Sequence, residues 1–175
     1  MFRNTGPVRT SFFKDVDSPI GKLKLVAQGD RLAAILWERE RTGRVPLGPL
    51  EERDDHPVLV KTARQLQEYF GGERTRFDIE LDFAGTEFQR QVWHALLTIP
   101  FGETRSYAEI AAQIGNAKAV RSVGAANGRN PIAIIAPCHR VIGADGTLTG
   151  FAGGLDAKRT LLHLERQDST TTTSH

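Results

Sequence analysis

The chain contains one cysteine, Cys138, and a histidine follows it directly in the run Pro137-Cys138-His139-Arg140. A cysteine attacks as a thiolate, but a free thiol has a pKa of about 8.5 and is mostly protonated at neutral pH. A neighbouring imidazole can remove that proton and so activate the sulfur. The types and spacing of the two residues therefore predict a nucleophilic thiol, although a single cysteine is more often a buried structural residue.

The position of His139 directly after Cys138 restricts how the two side chains can meet. Neighbouring residues of a continuous strand point to opposite faces, so a contact requires either a first helical turn here or a water between the side chains. A helix N-terminus at Cys138 would also favour the thiolate through its free N–H groups. A third group must hold the imidazole in one tautomer. Glu165 is a candidate, although from its sequence position it could equally be a surface charge.

Two predicted elements flank the cysteine and histidine. Residues 132–136 form a short, wholly apolar run, which predicts a buried strand ended by Pro137. Downstream, a leucine-rich segment predicts a closing helix with Asp156 as its N-cap and Glu165 near its end. Residues 168–175 are mostly Ser and Thr and predict a disordered tail.

Two capping boxes predict helix starts in the second half of the chain. They are Thr86-Glu87-Phe88-Gln89 and Ser106-Tyr107-Ala108-Glu109. A third helix is predicted from Ala117 to about Ala126, with Asn116 as its N-cap. The second and third helices are joined by a turn at Gly115, which is the pattern of a helix-turn-helix. Two short helices alone indicate DNA binding only weakly.

The third predicted helix has a surface made mostly of Ala, Ser and Gly, with Lys118 and Arg121 as its only long polar side chains. Small residues allow another helix to pack closely, and they also allow a helix to approach a narrow DNA groove. These residues alone leave both interpretations open.

The first half of the chain predicts a small α+β unit without evident chemistry. Residues 22–27 and 32–37 predict a hairpin around the turn Gln28-Gly29-Asp30. Residues 38–55 are charged and contain several Gly and Pro residues, which predicts a mobile loop.

A helix follows this loop. It is predicted from Pro57 to the Gly71-Gly72 pair, with a returning strand over residues 77–81. His56, directly before Pro57, is interpreted as a cap or surface residue rather than a ligand.

The composition of the 175-residue chain excludes several classes of protein. There is no signal-peptide pattern and no apolar run of the ~20 residues that a membrane helix needs, and one cysteine cannot form an internal disulfide. We therefore expect a cytoplasmic protein. The net charge is only +2, but residues 86–167 carry nine basic and six acidic side chains, which weakly supports phosphate contacts.

The second half resembles the methylated-DNA–protein-cysteine methyltransferases, also called O6-alkylguanine-DNA alkyltransferases. The resemblance runs from Thr86 to about Glu165 without an evident gap. It rests on five stretches: Phe101-Gly102-Glu103-Thr104 with Ser106-Tyr107, Arg121-Ser122-Val123-Gly124-Ala125-Ala126-Asn127, Asn130-Pro131-Ile132, Pro137-Cys138-His139-Arg140-Val141-Ile142-Gly143 and Gly150-Phe151-Ala152-Gly153-Gly154-Leu155. The first half fits the family's N-terminal domain in length and element order.

The resemblance implies an α+β fold in two parts. Residues 1–82 would form a small α/β supporting domain, ribonuclease-H-like in the family. Residues 86–167 would form a mainly helical alkyltransferase and DNA-binding domain that contains the helix-turn-helix.

The resemblance also implies DNA repair by direct and irreversible alkyl transfer, once per molecule, as in a suicide enzyme. Cys138 would take the alkyl group from O6-alkylguanine, and also from O4-alkylthymine. His139, through a water, and Glu165 would form the relay that makes the thiolate, and Asn130 would brace the loop. No cofactor is implied.

In this family the helix-turn-helix enters the minor groove and the damaged base is flipped into a pocket, because a stacked base is out of reach of the thiol. Tyr107 would crowd the phosphate and donate a proton to the guanine, and Arg121 would fill the space left by the base. The other implied DNA contacts are Asn116, Ala119, Val120, Ser122 and Gly124.

The implied base pocket is lined by Tyr107, Val141, Phe151, Ala152 and Gly153. The carbonyls of Cys138 and Val141 would accept the guanine amino group, and the backbone of residues 151–153 would donate toward O6. Many family members carry Tyr at the position of Phe151, and some carry Ser at that of Ala152. This chain lacks both hydroxyls.

The implied partner is double-stranded DNA that contains O6-alkylguanine, with no membrane partner. We expect a monomer, and cooperative binding along DNA stays open. Some members bind zinc through cysteines and histidines of the N-terminal half, but this half has no cysteine, so we expect no metal. The alternatives are a non-repairing protein that binds alkylguanine lesions, an unrelated cysteine hydrolase and a plain DNA-binding regulator.

Overall fold

The first half of the chain folds around a four-stranded sheet. A computed structural model describes residues 10–41 and 43–173. The strands are β1 (Ser11–Val16), β2 (Leu23–Gln28), β3 (Arg31–Trp37) and β4 (Leu50–Glu52). Their order is β3-β2-β1-β4, with β1–β2 and β2–β3 antiparallel and β1–β4 parallel. The predicted hairpin is confirmed as β2 and β3.

The prediction of a loop over all of residues 38–55 is wrong, because this segment contains β4. The strand pairs with β1 in the register Ser11↔Leu50 and Phe13↔Glu52. All three of its residues are exposed, and their sequence, Leu-Glu-Glu, does not show the alternation of apolar and polar residues that predicts a strand. Its hydrogen-bonding partner lies far away in the sequence, which a local pattern cannot reveal.

Helix α1 (Pro57–Phe70) packs on the sheet and has the predicted bounds. His56 is its N-cap, and the Nδ1 atom of His56 accepts a hydrogen bond from the Val58 N–H at 3.2 Å. The prediction of a cap is therefore confirmed, but the ring is buried and is not a surface residue. Gly71 ends the helix.

The predicted strand over 77–81 is wrong, since only Leu81 forms a bridge, parallel to Leu32 of β3. The N–H of Leu32 donates to the Glu80 carbonyl at 2.9 Å, and the N–H of Asp82 donates to the Leu32 carbonyl at 2.8 Å. The chain meets the edge of the sheet at this one point and then continues into the second half.

The second half begins with helix α2 (Glu87–Leu96), the short strand β5 (Arg105–Ser106), helix α3 (Tyr107–Gln113) and helix α4 (Val120–Gly128). The predicted capping boxes at Thr86 and Ser106 are both formed. Helices α3 and α4 pack together as the predicted helix-turn-helix.

Helix α4 begins later than predicted, at Val120 rather than Ala117, and Asn116 is not its cap. Residues 116–119 instead form a turn in which the Asn116 carbonyl accepts from the Ala119 N–H at 2.9 Å. Ala119 is the N-cap and offers no side-chain hydrogen bond. Gly115 enters this turn with a φ of 79°, a conformation that glycine adopts without strain.

The apolar run 132–136 is buried as predicted, but it is a series of turns and not a strand. The Ala136 N–H donates to the Ile132 carbonyl at 3.0 Å, and the Ile135 N–H donates to the Ala133 carbonyl at 2.8 Å. Ile134 has a φ of 73°, which a β-branched residue rarely adopts. Ile132 alone bridges to a strand, at Ile35 of β3.

The chain then forms a 3-10 turn, Cys138–Arg140, the short strand β6 (Val141–Ile142), which pairs in parallel with β5, and helix α5 (Leu155–Thr173). Asp156 lies in the first turn of α5 and is not the N-cap. The predicted boundary of the tail at 168 is wrong, because an established helix adds one hydrogen bond per residue and α5 continues to Thr173. Residues 174 and 175 lie outside the described residues.

One hydrophobic core joins the two halves. It includes the buried faces of β2, β3, α1, α2 and α5 together with the 132–136 turns. The Ile35 N–H of β3 donates to the Pro131 carbonyl at 2.8 Å, so the first half directly supports the segment that leads to Cys138. Within the part of the chain that is described, no helix is long and apolar enough to cross a membrane.

Candidate active site

The turns before Cys138 are held by the side chain of Asn130. Its Nδ2 donates to the Ala136 carbonyl at 2.8 Å, and its Oδ1 accepts from the Ile132 N–H at 3.1 Å. One buried carboxamide therefore ties both ends of the 132–136 run together. Asn130 therefore lies where it can brace the loop before Cys138.

Cys138 is the first residue of the 3-10 turn, so the chain does not continue here as a strand. Cys138 is 5% exposed and His139 is fully buried. Burial raises the pKa of the Cys138 thiol. Three neighbouring side chains oppose this rise, namely those of Asn130, Arg44 and Lys158. Because the pKa is raised, the resting thiol is protonated and depends on a base for activation.

Glu165 holds the imidazole of His139, as predicted. The Nε2 of His139 lies 2.8 Å from the Glu165 Oε2. Glu165 is 1% exposed, so it is not a surface charge. Burial alone would raise the pKa of this carboxyl, but hydrogen bonds from His139 and Arg140, together with the charge of Arg140, outweigh it and lower the pKa to about 2. Glu165 therefore remains ionised at neutral pH.

Arg140 neutralises the buried carboxylate. Its Nε and Nη2 donate to the two oxygens of Glu165 at 2.9 Å each, and its Nη1 donates to the Ile99 carbonyl at 2.6 Å. A bidentate pair of this kind fixes orientation as well as charge. In the sequence, Arg140 belongs to the motif around Cys138, but no role was predicted for it.

The second ring nitrogen of His139 is available as a base. Burial lowers the pKa of His139, so the imidazole is neutral at neutral pH. Since Nε2 faces a carboxylate, we assign its proton there, which leaves a lone pair on Nδ1. No described protein group hydrogen-bonds to Nδ1, although it is buried.

Two further buried groups were missed by the sequence analysis. The Tyr69 hydroxyl of α1 donates to the Glu165 Oε2 at 2.6 Å. The Lys158 Nζ of α5, fully buried, donates to the Val141 carbonyl at 2.7 Å. Lys158 lies two helical turns before Glu165 on the same face, and this spacing could have indicated it. No sequence signal connects Tyr69 to Glu165.

Two residues of the first half also reach the site. Arg44 donates to the carbonyls of Gly128 and Asn130, both at 3.0 Å. Trp37, at the end of β3, packs its indole so closely on Gly153 that a Cβ there would lie 2.7 Å from the ring. The first half, in which the sequence showed no chemistry, thus contacts the nucleophile's loop and the 151–153 segment.

The helix-turn-helix places most of the predicted DNA-binding residues at the surface. Asn116, Val120, Arg121 and Ser122 are exposed, and Ala119 is half-buried. Tyr107 begins α3 and is half-buried, and Gly124 of α4 faces its ring, with carbons 3.9 Å from a Cβ built on the glycine.

The predicted pocket residues differ in exposure. Val141 is buried in β6, Phe151 and Gly153 are half-buried, and Ala152 is exposed. The hydroxyl groups of Tyr107 and Thr149 are hydrogen-bonded to each other, which joins α3 to the loop before Phe151. Asn127 of α4 connects the helix-turn-helix to the backbone of the 3-10 turn, because its Nδ2 donates to the Cys138 carbonyl at 3.4 Å.

The described residues contain no group of three or more His, Cys, Asp or Glu side chains that could hold a metal ion.

Comparisons with known proteins agree with this arrangement along nearly the whole chain. A family model described as "6-O-methylguanine DNA methyltransferase, DNA binding domain" matches residues 87–167, and one described as "6-O-methylguanine DNA methyltransferase, ribonuclease-like domain" matches residues 11–83. The methylated-DNA–protein-cysteine methyltransferase of Mycolicibacterium paratuberculosis is 53% identical, over 90% of this chain and 93% of that protein. That of Mycobacterium leprae is 52% identical, over 87% of this chain and 91% of its own.

Solved structures are also similar. The crystal structure of Mycobacterium tuberculosis OGT in complex with DNA superposes with a TM-score of 0.81 at 52% identity, covering 90% of this chain and 94% of that one. The O6-methylguanine-DNA methyltransferase of Pyrococcus kodakaraensis shares the fold at 20% identity, with a TM-score of 0.51 and coverage of 89% and 98%. Fold and site together define an α+β protein with a helix-turn-helix and a buried cysteine that is followed by a histidine held by a glutamate. The chain belongs to the 6-O-methylguanine DNA methyltransferase family.

Proposed function

We propose that this protein repairs alkylated DNA by moving the alkyl group from O6 of guanine, and from O4 of thymine, onto the sulfur of Cys138. The observation that carries the proposal is the buried set Cys138, His139 and Glu165, in which the cysteine is followed directly by a histidine whose Nε2 lies 2.8 Å from the carboxylate and whose Nδ1 has no described protein partner. The family membership supports the same function. A lesion-binding protein without transfer is not favoured, because it would have no use for this set.

The chemistry is a displacement at the alkyl carbon. His139 Nδ1 takes the thiol proton, through a water, and the Cys138 sulfur attacks the carbon in line with its bond to O6. The S–C bond forms as the C–O6 bond breaks, and guanine leaves with the electron pair and takes up a proton, for which the Tyr107 hydroxyl is the proposed donor. The thioether is not hydrolysed under mild conditions, so each molecule acts once. These steps balance without a cofactor.

The helix-turn-helix would deliver the base. A stacked guanine hides its O6 atom, so the nucleotide must rotate out of the helix before the thiol can reach it. Arg121 is exposed at the start of α4, where it could occupy the vacated space. Asn116, Ala119, Val120, Ser122 and Gly124 complete the proposed minor-groove surface, on which small side chains permit close approach.

The base would be recognised by backbone groups. We assign the carbonyls of Cys138 and Val141 to the guanine amino group. Val141 O already accepts from Lys158, but a carbonyl has a second lone pair for the base. The backbone N–H groups of Phe151, Ala152 and Gly153 would point toward O6. The ring of Phe151 would contact the base but, having no hydroxyl, would form no hydrogen bond to it.

The remaining proposals concern organisation. Residues 1–82 would act as a support and residues 86–167 as the transfer and DNA-binding unit, a division supported by family-model matches over 11–83 and 87–167. We place the protein in the cytoplasm as a monomer on double-stranded DNA.

The decisive experiment is mass spectrometry of the whole protein after incubation with duplex DNA containing O6-methylguanine. We expect one methyl group per molecule, located on Cys138 and never exceeded in excess substrate. The Cys138→Ala variant should still bind the duplex and gain no mass. Release of methyl groups with continued turnover would indicate a hydrolase, and binding without an adduct would indicate a lesion-binding protein.

A further inference from the structure

The Glu165 carboxylate accepts hydrogen bonds from both halves of the chain. Its Oε2 accepts from Tyr69 OH at 2.6 Å and Arg140 Nη2 at 2.9 Å, and lies 2.8 Å from His139 Nε2. Its Oε1 accepts from Arg140 Nε at 2.9 Å. Three of these four contacts come from the 3-10 turn, whereas Tyr69 is 96 residues away in sequence.

Tyr69 is fixed where it donates. Its side chain is 1% exposed, and three aromatic rings surround it, those of Phe70, Phe77 and Phe101, with centroids 5.2, 5.4 and 6.2 Å away. Burial, and then the charge of Glu165, raises the pKa of the Tyr69 phenol far above its ordinary value. The hydroxyl is therefore a permanent donor to the carboxylate and never a base.

We propose that Tyr69 is a positioning residue of the transfer reaction, whose hydroxyl holds Glu165 in place and limits the pull of the carboxylate on the His139 proton. The inference rests on the proposed function, since it concerns the same proton relay. Through Tyr69, the first half of the chain would take part in the proton relay, whose other members all lie in the second half.

The physical argument concerns how the charge on Oε2 is shared. A carboxylate that accepts several hydrogen bonds is a weaker partner for each of them. Without the Tyr69 hydroxyl, Glu165 would attract the imidazolium form of His139 more strongly, so the pKa of His139 would rise. Two other charged groups act on His139, Arg140 and Lys158, and both lower its pKa. They would be unchanged in a variant at position 69.

The test is the pH dependence of single-turnover transfer from free O6-benzylguanine, which bypasses DNA binding. In Tyr69→Phe, the acid limb of the profile should move to higher pH by about 0.5 to 1 unit, since a protonated His139 cannot accept the thiol proton. At a pH below the limb, this shift is a rate loss of about three- to tenfold. Near pH 8 the rate should stay within about twofold of the wild type.

Phe77→Leu is the matched control, because it perturbs the same aromatic cluster without removing a hydrogen bond to Glu165. It should lower the melting temperature and leave the profile in place. In a Glu165→Gln background, Tyr69→Phe should cause no shift. A uniform rate loss at every pH, or an unchanged profile, would show that Tyr69 has a structural role only and would overturn the inference.

A second measurement does not depend on removing the hydroxyl. Fluorotyrosine placed at position 69 makes the phenol a stronger donor, so the acid limb should move to lower pH. A shift in the opposite direction, or none, would also count against the inference. If the wild-type protein itself acquires no benzyl group, it is the proposed function that fails.

Discussion

The indole of Trp37 meets the ring of Phe151 edge-on, with centroids 5.4 Å apart and an interplanar angle of 65°. The same indole lies against Gly153. The last residue of a strand in the first half thus supports the segment that we assign to the substrate base in the second.

Replacing Trp37 with Leu should therefore alter the choice among alkyl groups. Without the indole, Phe151 gains room to move away from the pocket, and a bulky group meets less resistance. We expect the ratio of the benzyl-transfer rate to the methyl-transfer rate to rise severalfold. This corresponds to a change of about 1 kcal/mol in the difference between the two activation free energies. Competition between the two lesions in otherwise identical duplexes measures this ratio.

Leu25→Ala, in the buried centre of β2, is the control for the loss of core volume in that experiment. Both variants should lose about 2 to 4 kcal/mol in free energy of unfolding. Only the substitution at Trp37 should change the ratio, and an unchanged ratio there would remove Trp37 from substrate selection.

Lys158→Met should slow transfer at neutral pH. The buried ammonium of Lys158 lowers the pKa of the Cys138 thiol and holds the Val141 carbonyl. Its loss leaves the thiol harder to ionise, and one unit of pKa corresponds to about tenfold less thiolate. The rate of Cys138 alkylation by iodoacetamide as a function of pH reports this directly. Arg159→Met, an exposed position on the same helix, should behave like the wild type.

Arg121→Ala should affect duplex DNA more than the free base. If the guanidinium fills the space of the flipped nucleotide, its loss slows repair of duplex O6-methylguanine by about tenfold or more and spares reaction with O6-benzylguanine. Arg129→Ala removes another exposed positive charge, after the end of α4, and serves as the control. Equal losses in both reactions would refute a role in base flipping.

Acid should destabilise the fold through Glu165. Its folded pKa is lowered from the ordinary 4.5 to about 2, so its contribution is present above pH 4.5 and is lost as the pH falls toward 2. The linkage amounts to about 3 kcal/mol at neutral pH. The measurement is urea unfolding at pH 7 and pH 3. The free energy of unfolding of the wild type should exceed that of Glu165→Gln by less at pH 3 than at pH 7.

The exposed carboxylate of Asp156, on the same helix, provides the comparison for the acid experiment. Asp156→Asn should change stability little at either pH, because exposed ion pairs contribute only about 0 to 1 kcal/mol. An advantage of Glu165 over Gln that stays constant between the two pH values would contradict the lowered pKa.

Elements defined by local chemistry could be predicted from the sequence. Thr86 and Ser106 are each followed three residues later by their capping partner, so four consecutive residues are enough to predict the start of α2 and of α3. Cys138 and His139 are adjacent, and Glu165 lies on the leucine-rich closing helix. The relay could therefore be proposed once the family resemblance supplied its geometry.

Elements that depend on distant partners could not be predicted. Residues 132–136 have the composition of a buried strand, but the Asn130 side chain ties the run into turns. β4 forms because it pairs with β1, and the sequence of its three exposed residues does not predict this pairing. Tyr69 resembles any core aromatic of an amphipathic helix until the tertiary fold brings Glu165 to its hydroxyl.

The contacts of Trp37 and Tyr69 with the second half restrict which first halves could replace this one by recombination. A genetic crossover near Gly85, between the two regions matched by the family models, would pair the second half with a foreign first half. Such a hybrid would carry Cys138 and the helix-turn-helix, but it would keep the support of Phe151 and Glu165 only if the incoming half supplied an aromatic ring and a hydroxyl at the positions of Trp37 and Tyr69. We therefore expect the residues that face each other across the two halves to change together when one half is exchanged.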